Sequence, residues 1–328
     1  MVCMRSRLYG IWIFALIIGV ALLTLGVLLP QKIAPTRPIP LELADSTVLL
    51  DDAEATVGEA YPASGGKTVQ APVRKQFNVT LGQPADEQTA SAKVGVTTTR
   101  TDMDDEADAL LDAQVWSFTM DRISGEVRGD AQVADTPATP PTTVSSIESW
   151  TKFPQNLEQR DYQFFDYQLR ENVPATFQGT IHREDANGND VELYQFMQEI
   201  PDTDMTTKHD SIWNTTTVDR DGQQVEARLH YSGTRKLQVD PVSGVIISVE
   251  ESLDSRYEDD NGERVADLLV FNGKTTDEVE RSMLLQAQKL GENRSSSTWG
   301  LVLTIVGAIV TAASLIGLVV NRRKQRKS

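Results

Sequence analysis

Two long apolar runs bracket the chain. Leu8 to Leu29 reads LYGIWIFALIIGVALLTLGVLL, and Trp299 to Val320 reads WGLVLTIVGAIVTAASLIGLVV, with no charged side chain in either. At about 1.5 Å rise per residue each covers roughly 33 Å, enough to cross the hydrocarbon of a bilayer. The pattern therefore predicts transmembrane helices over 8–29 and 299–320. The first run is longer than the apolar part of a signal peptide, and it ends Leu28-Leu29-Pro30-Gln31-Lys32 without a small-residue cleavage site. An uncleaved anchor is expected. Small residues four apart, Ala15 with Gly19 and Ala308 with Ala312, are spaced for close helix approach, although small residues are common in any membrane helix.

Between the runs the period changes. Pro30, Pro35, Pro38 and Pro40 predict an extended stalk. Short β-rich runs follow at Val48–Leu50, Gln76–Leu81 and Val115–Met120, among loops rich in Gly, Thr and Asp. Residues 134–146, ADTPATPPTTVSS, read as a surface loop or linker. The stretch Trp150–Pro201 then gathers Phe153, Tyr162, Phe164, Phe165, Tyr167 and Phe177 ahead of Asn187-Gly188, a two-residue hairpin signal. Aromatic side chains bury the most area each, so this stretch is expected to nucleate a core. Further turns at Asp221-Gly222, Asp240–Gly244 and Asn261-Gly262 separate alternating runs such as Val225, Ala227, Leu229 and Tyr231. That spacing predicts an antiparallel meander with one buried face. From Thr275 to Gly291 the period becomes helical, with Val279, Met283, Ala287 and Leu290 on one stripe. Thr275 with Glu278 suits a capping box and Gly291 a stop. The predicted fold is mainly β: an antiparallel β ectodomain over 30–298 with a C-terminal amphipathic helix, flanked by two transmembrane helices.

Charge gives this arrangement a direction. The segments 1–29 and 298–328 hold seven bases and no acid, so the middle keeps 24 of the 31 bases against 47 acids, a net charge of −23. Bases at the outer end of each run, Arg5 and Arg7 before the first and Arg322, Arg323, Lys324, Arg326 and Lys327 after the second, put segments 1–7 and 321–328 in the cytoplasm. A two-pass cell-membrane protein with its main domain outside is expected, the bilayer itself being one partner. The acidic middle repels nucleic acid, which needs clustered Lys and Arg to displace counterions. With the single cysteine Cys3, no intrachain disulfide forms.

Reactive constellations are missing. His182, His209 and His230 are far apart with no metal spacing, and no nucleophile elbow or phosphate loop appears. No catalytic residue, metal or cofactor is assigned, and the protein is read as a non-enzyme. The acidic run Asp102, Asp104, Asp105, Glu106 and Asp108 fails the calcium-loop pattern, having Ala107 sixth and Ala113 twelfth, and reads as a solvated helix start. Asp166, between two aromatics, is either a buried acid or, the preferred reading, a turn or cap residue.

The pieces Phe153-Pro154, Arg160-Asp161-Tyr162, Phe165-Asp166, Val173-Pro174-Ala175, Gly179, Tyr194-Gln195-Phe196 and Val239-Asp240-Pro241-Val242-Ser243-Gly244 resemble the PorA-family domain of unknown function found in actinobacteria. Two flanking spans with cytoplasmic ends fit that family as well. Its mycobacterial members resemble polar growth factors linked to glycolipid export. The resemblance thus implies a cell-envelope role in which the ectodomain binds an envelope lipid or glycolipid, a lipid exporter, or both. The family name suggests a porin, but a membrane barrel needs many alternating ten-residue segments with aromatic girdles and no long apolar helix, so a pore ranks behind. The leading expectation is a lipid-binding envelope protein supporting envelope assembly and growth, and the alternative is a structural scaffold that binds only protein. An envelope-acting enzyme ranks with the pore. Candidate ligand-contacting residues are Trp150, Tyr162, Phe164, Phe165, Tyr167 and Phe177, either packed on each other or walling a lipid site.

Overall fold

In the computed structural model the described residues are 2–32, 38–42, 46–58, 67–136, 140–220, 222–292 and 295–326. Pro35 of the expected stalk, positions 137–139 of the expected loop, Asp221 of one turn signal and Lys327 of the basic tail lie outside them. The chain divides into two compact units, Met1–Thr36 with Gly291–Ser328, and Arg37–Leu290.

The first unit is a helix pair, α1 (Val2–Lys32) and α4 (Ser295–Arg326). Its seam is made of small residues. A Cβ added to Gly19 would lie 2.6 Å from Thr311 Oγ1, and one on Gly307 would lie 2.5 Å from the backbone nitrogen of Leu23. Ser314, one heptad beyond Gly307, is buried with them, whereas Ala308 and Ala312 are exposed. The small-residue pair expected on the second run therefore faces away from the seam, because it sits about 100° round the helix from Gly307. The Thr311 and Ser314 hydroxyls donate to Gly307 O and Val310 O, both at 2.7 Å, so they present no unpaired group. Phe14, Ile17, Leu301, Ile309 and Ile316 form an exposed apolar rim. Among the described residues one helical segment, Leu301–Val319, is long and apolar enough to cross a membrane, and α1 contributes the shorter apolar segment Trp12–Val27. The two-span expectation is thus reduced to one clear span, since the described apolar part of α1 falls below the roughly 20 residues a bilayer needs.

The second unit is one sheet. Its strands are β1 (Thr47–Gly58), β2 (Thr68–Ala85), β3 (Thr89–Arg100), β4 (Leu110–Asp121), β5 (Val127–Ala134), β6 (Thr142–Val144) and β7 (Tyr162–Asp166). They continue as β8 (Glu171–Glu184), β9 (Asp190–Asp204), β10 (Thr215–Arg220), β11 (Gln223–Val239), β12 (Ile246–Glu258) and β13 (Arg264–Thr275). The order is β6-β5-β4-β3-β2-β1-β13-β12-β11-β9-β8-β7, with β10 paired on β11. Every ladder is antiparallel. Ser149 bridges Glu126 on one side and Phe164 on the other, so the two ends of the sheet meet and the surface closes on itself. Arg170 ties the same seam to Asp135 at 2.7 Å.

The first half of the domain, which sequence left as isolated runs, supplies half of this wall. Along β3, Ala90, Ala92, Val94, Val96 and Thr98 are buried, and along β4 so are Gln114, Trp116, Phe118 and Met120. This is the two-residue period of a sheet with one covered face. The opposite face is polar, as Thr234, Lys236 and Gln238 on β11 and Glu250 and Ser252 on β12 illustrate.

Local chemistry sets the connections. The β8–β9 turn is longer than the two-residue hairpin expected from Asn187-Gly188. The Asp185 carboxylate accepts from the amides of Asn187 and Asn189, each at 2.8 Å, and Gly188 takes φ +78. Asp105 caps the short helix α2 (Glu106–Ala109) through the amides of Ala107 and Asp108, as the acidic run suggested. Helix α3 (Asp277–Glu292) lays Val279, Met283, Leu284 and Ala287 on Leu193, Val245 and Ile247. Its cap is Thr276, not Thr275: the Val279 amide donates to Thr276 Oγ1, while the Thr275 hydroxyl is engaged with the backbone of Val249.

Candidate functional site

All six candidate aromatics pack against another ring. Trp150 meets Trp116 and Phe165 at 5.2 and 5.5 Å, and Phe164 stacks on Phe153 at 5.2 Å. Tyr162 meets Phe153 edge-on at 5.8 Å, Tyr167 meets Phe77 at 5.6 Å, and Phe177 meets Tyr194 at 5.4 Å. Four of them, Trp150, Phe164, Phe165 and Tyr167, also line a half-enclosed cavity of about 140 Å³, whereas Tyr162 and Phe177 do not. The rest of that lining is mostly aliphatic, including Val79, Leu81, Met120, Leu237 and Val249.

Beside this apolar space lies a buried ion network. Arg235 on β11 donates from Nε to Glu251 Oε1 on β12 at 2.7 Å, and its Nη1 lies 3.1 Å from Asp166 Oδ2. Lys75 on β2 reaches Glu251 Oε2 at 3.1 Å, with its ammonium 4.4 Å from the centre of the Phe271 ring. Tyr231 donates to Asp166 at 3.2 Å, and Gln198 accepts from Arg235 while donating to Phe164 O and Val173 O. The side chains of Lys75, Glu251, Arg235 and Asp166 are at most 5% exposed. Two cations and two anions therefore balance inside the domain. Burial pushes the Glu251 carboxyl up, but Lys75 and Arg235 outweigh it and hold the group at about 2. Arg235 is likewise held far above its ordinary range by Glu251 and Asp166, against the cost of its burial.

Asp166 joins the two sequence readings. It is fully buried, and it also caps a turn by accepting from the amides of Gln168 and Leu169 at 3.0 and 2.8 Å. Sequence reasoning missed Lys75, Gln198, Arg235 and Glu251. Their signal was phase: Arg235 alternates with Leu237 and Val239, and Glu251 with Val249 and Leu253, so both occupy buried positions of their strands.

A second cavity of about 110 Å³ also draws on the network, being lined by Lys75, Tyr231, Asp112, Gln114 and His209 among others. Burial, then the nearby Asp135, pushes the Asp112 carboxyl up to about 6, and its Oδ2 has no hydrogen-bond partner among the described residues. Burial also lowers the His209 imidazole. At the first cavity, burial pushes the Lys152 ammonium down to about 7, although Asp121 and Glu126 oppose the shift, and its Nζ donates to Ile123 O at 2.7 Å.

The histidines show no metal spacing in sequence, yet the sheet gathers His230, Asp202 and Glu258 so that their ligand atoms fall within 4.8 Å of one another. Arg256 already occupies that cluster, 3.0 Å from Asp202 and 2.7 Å from Glu258. Both carboxylates are thus paired with a fixed cation, an arrangement that opposes a second one. His182 pairs with Asp190 at the surface.

Comparison with known proteins places this architecture. The family described as Porin PorA matches residues 13–316. A "Porin PorA" of Corynebacterium amycolatum is 25% identical over 315 residues, covering 76% of this chain and 78% of its own. A "Porin PorA" of Corynebacterium resistens is 24% identical over 324 residues, covering 76% and 77%. These relatives are described as porins, a name for channel-forming proteins. The expected role in lipid binding and envelope assembly is corrected by that finding, and the scaffold alternative gains nothing from it. The interior agrees with the correction: a space of about 140 Å³ matches one benzene-sized group rather than a membrane lipid.

Proposed function

The chain belongs to the PorA family, and from that premise we propose that it is a non-catalytic, pore-forming protein of the cell envelope whose membrane passage is built from helices. The observation that carries the reading is the extent of the family match. It runs from within α1, through the whole β domain, and into α4, so helices and domain together correspond to the proteins described as porins. Polarity then selects the helices as the membrane part. The outer face of the sheet carries Lys93, Glu199, Lys236 and Glu250, and such a wall cannot face hydrocarbon. The exposed apolar surface is concentrated on α1 and α4 instead.

In this reading α1 is a second membrane crossing, both termini are cytoplasmic, and the β domain stands outside. One helix pair encloses no channel, so several copies assemble around the passage. The β domain contributes charge. Its net −23 concentrates cations at the mouth, and the pore is cation-selective.

Full-length protein reconstituted into planar bilayers tests this. Discrete conductance steps are expected, with a reversal potential of cation-selective sign in a tenfold potassium chloride gradient. Conductance indistinguishable from that of protein-free bilayers at every protein concentration would remove the proposal. An anion-selective pore would remove the role given to the acidic domain.

A further inference from the structure

The cavity beside the ion network has a shape and chemistry that the pore reading does not use. Its volume, about 140 Å³, is close to that of an engineered cavity of about 150 Å³ in another protein that encloses benzene. Val79, Leu81, Val94, Met120, Leu237 and Val249 make much of its wall aliphatic, with the Trp150 and Phe165 rings completing it. A rigid body of six or seven heavy atoms fits the space.

Two further observations narrow the occupant. Arg235 lines the cavity, and among the described residues its Nη2 is a buried donor without a partner, whereas the hydroxyl of Tyr167, another lining residue, interacts with the Gln168 side chain. Buried donors left unpaired cost free energy that an acceptor atom on a ligand would recover. Charge sets the second limit. Arg235 is already engaged by Glu251 and Asp166, and Glu251 by Lys75, so the four buried charges cancel. An anionic ligand would add an uncompensated buried charge next to Glu251, which itself lines the cavity. A cationic ligand would meet Arg235 and Lys152.

We propose that this cavity is a binding site for a small uncharged molecule, about one six-membered ring in size, that carries a single hydrogen-bond acceptor such as a carbonyl oxygen. The site is independent of any pore: it requires the β domain only, and binding is its readout.

Three ring probes of matched size separate the contributions. Cyclohexanone offers a neutral acceptor, cyclohexane none, and cyclohexanecarboxylate a charged one. Each is titrated into the full chain in detergent micelles, with tryptophan emission as the signal, since Trp150 walls the site, and with empty micelles and micelles holding a filled variant as controls. Cyclohexanone is expected to bind saturably, about tenfold more tightly than either of the other two. Arg235→Lys, which keeps the charge and removes Nη2, should bring its affinity close to that of cyclohexane. Val249→Phe, which fills the space, should abolish the saturable signal, and Leu81→Phe replaces it if the near-ultraviolet dichroism of the first variant is lost. No saturable signal with any probe, or a signal that persists in the filled variant, overturns the site. Carboxylate binding as tight as that of the ketone overturns the charge argument, and equal binding of ketone and hydrocarbon overturns the role of the free donor.

Discussion

Substituting Lys75 by Met tests whether the buried charges are coupled as their geometry requires. The substitution removes one of two cations from a balanced set and leaves Glu251 with Arg235 alone. The fall of the Glu251 carboxyl from 4.5 to about 2 gives the scale. At about 1.4 kcal/mol per pH unit it corresponds to roughly 3 kcal/mol of net stabilisation of the anion, supplied by Lys75 and Arg235 together. Breaking a buried ion pair by removing one partner typically costs about 3–5 kcal/mol, so removing Lys75 should cost about 3 kcal/mol. For a domain of this size, that lowers the melting temperature by about 6–12 °C.

The assay is thermal unfolding of the full chain in detergent micelles at pH 7, followed by near-ultraviolet dichroism from the buried Trp116 and Trp150. The double variant Lys75→Met with Glu251→Met leaves Arg235 beside Asp166 at 3.1 Å, again in balance, and should recover at least half of the loss. The pH dependence has a fixed sign. Glu251 is depressed in the folded protein, so its contribution is complete above about 4.5 and is lost as pH falls towards 2. The gap between wild type and Lys75→Met should therefore close over that window. A single-variant loss below about 1 kcal/mol, or a double variant that loses the sum of both singles, would show that the network is not coupled.

Three other perturbations follow from the same coordinates. Lys152 is depressed from 10.5 to about 7 by burial, so the unfolded chain binds more protons between those values and stability should rise with pH across them; Lys152→Met should flatten that rise in unfolding curves taken from pH 7 to 10. Gly244 has φ +75, and an added Cβ would lie 2.0 Å from Phe153 O, so Gly244→Ala should cost at least about 2 kcal/mol and free the Phe153 amide, which donates to Gly244 O at 2.8 Å, to hydrogen exchange. Gly307→Ile should force α1 and α4 apart, because even its Cβ meets the Leu23 backbone at 2.5 Å; a spin-label distance between the helices that stays unchanged would refute the seam.

What sequence revealed followed the strength of the local signal. The alternation in β11 and the turns at Asp240–Gly244 and Asn261-Gly262 were legible because each puts a short-range constraint on the backbone, a buried period or a positive φ. The stripe of α3 was legible for the same reason. β3 was not, since TASAKVGVTTTR carries small residues at its buried positions and no large apolar side chain announces the period. Closure through Ser149 was invisible, because it depends on pairing across the whole domain and not on any nearby residue. The rings at the cavity were found as a cluster, but their charged neighbours were passed over. Lys75, Arg235 and Glu251 enter the sequence reading only through the net charge of the middle, although their strand phase puts them inside.

The filled interior bears directly on how a porin relative could conduct. An open β lumen would need its central layer free, yet here Lys75, Glu251, Arg235 and Asp166 span from β2 to the end of β7, with Trp116, Phe165 and Trp150 packed next to them. The two cavities, about 140 and 110 Å³, are each the size of a small molecule and draw on the same network, Arg235 and Glu251 lining one and Lys75 and Tyr231 the other. Opening a continuous path would mean separating buried charges at several kcal/mol per pair while unstacking rings. That cost is repeated for each ion pair, whereas bringing the exposed apolar helix faces of several copies together breaks no buried polar contact, because the Thr311 and Ser314 hydroxyls bond within their own helix. Under the proposed pore function, the energetics favour a closed β domain and helices as the conducting element. A variant that loosens the ion network, such as Lys75→Met, should lower thermal stability while leaving the unitary conductance of the assembled protein unchanged.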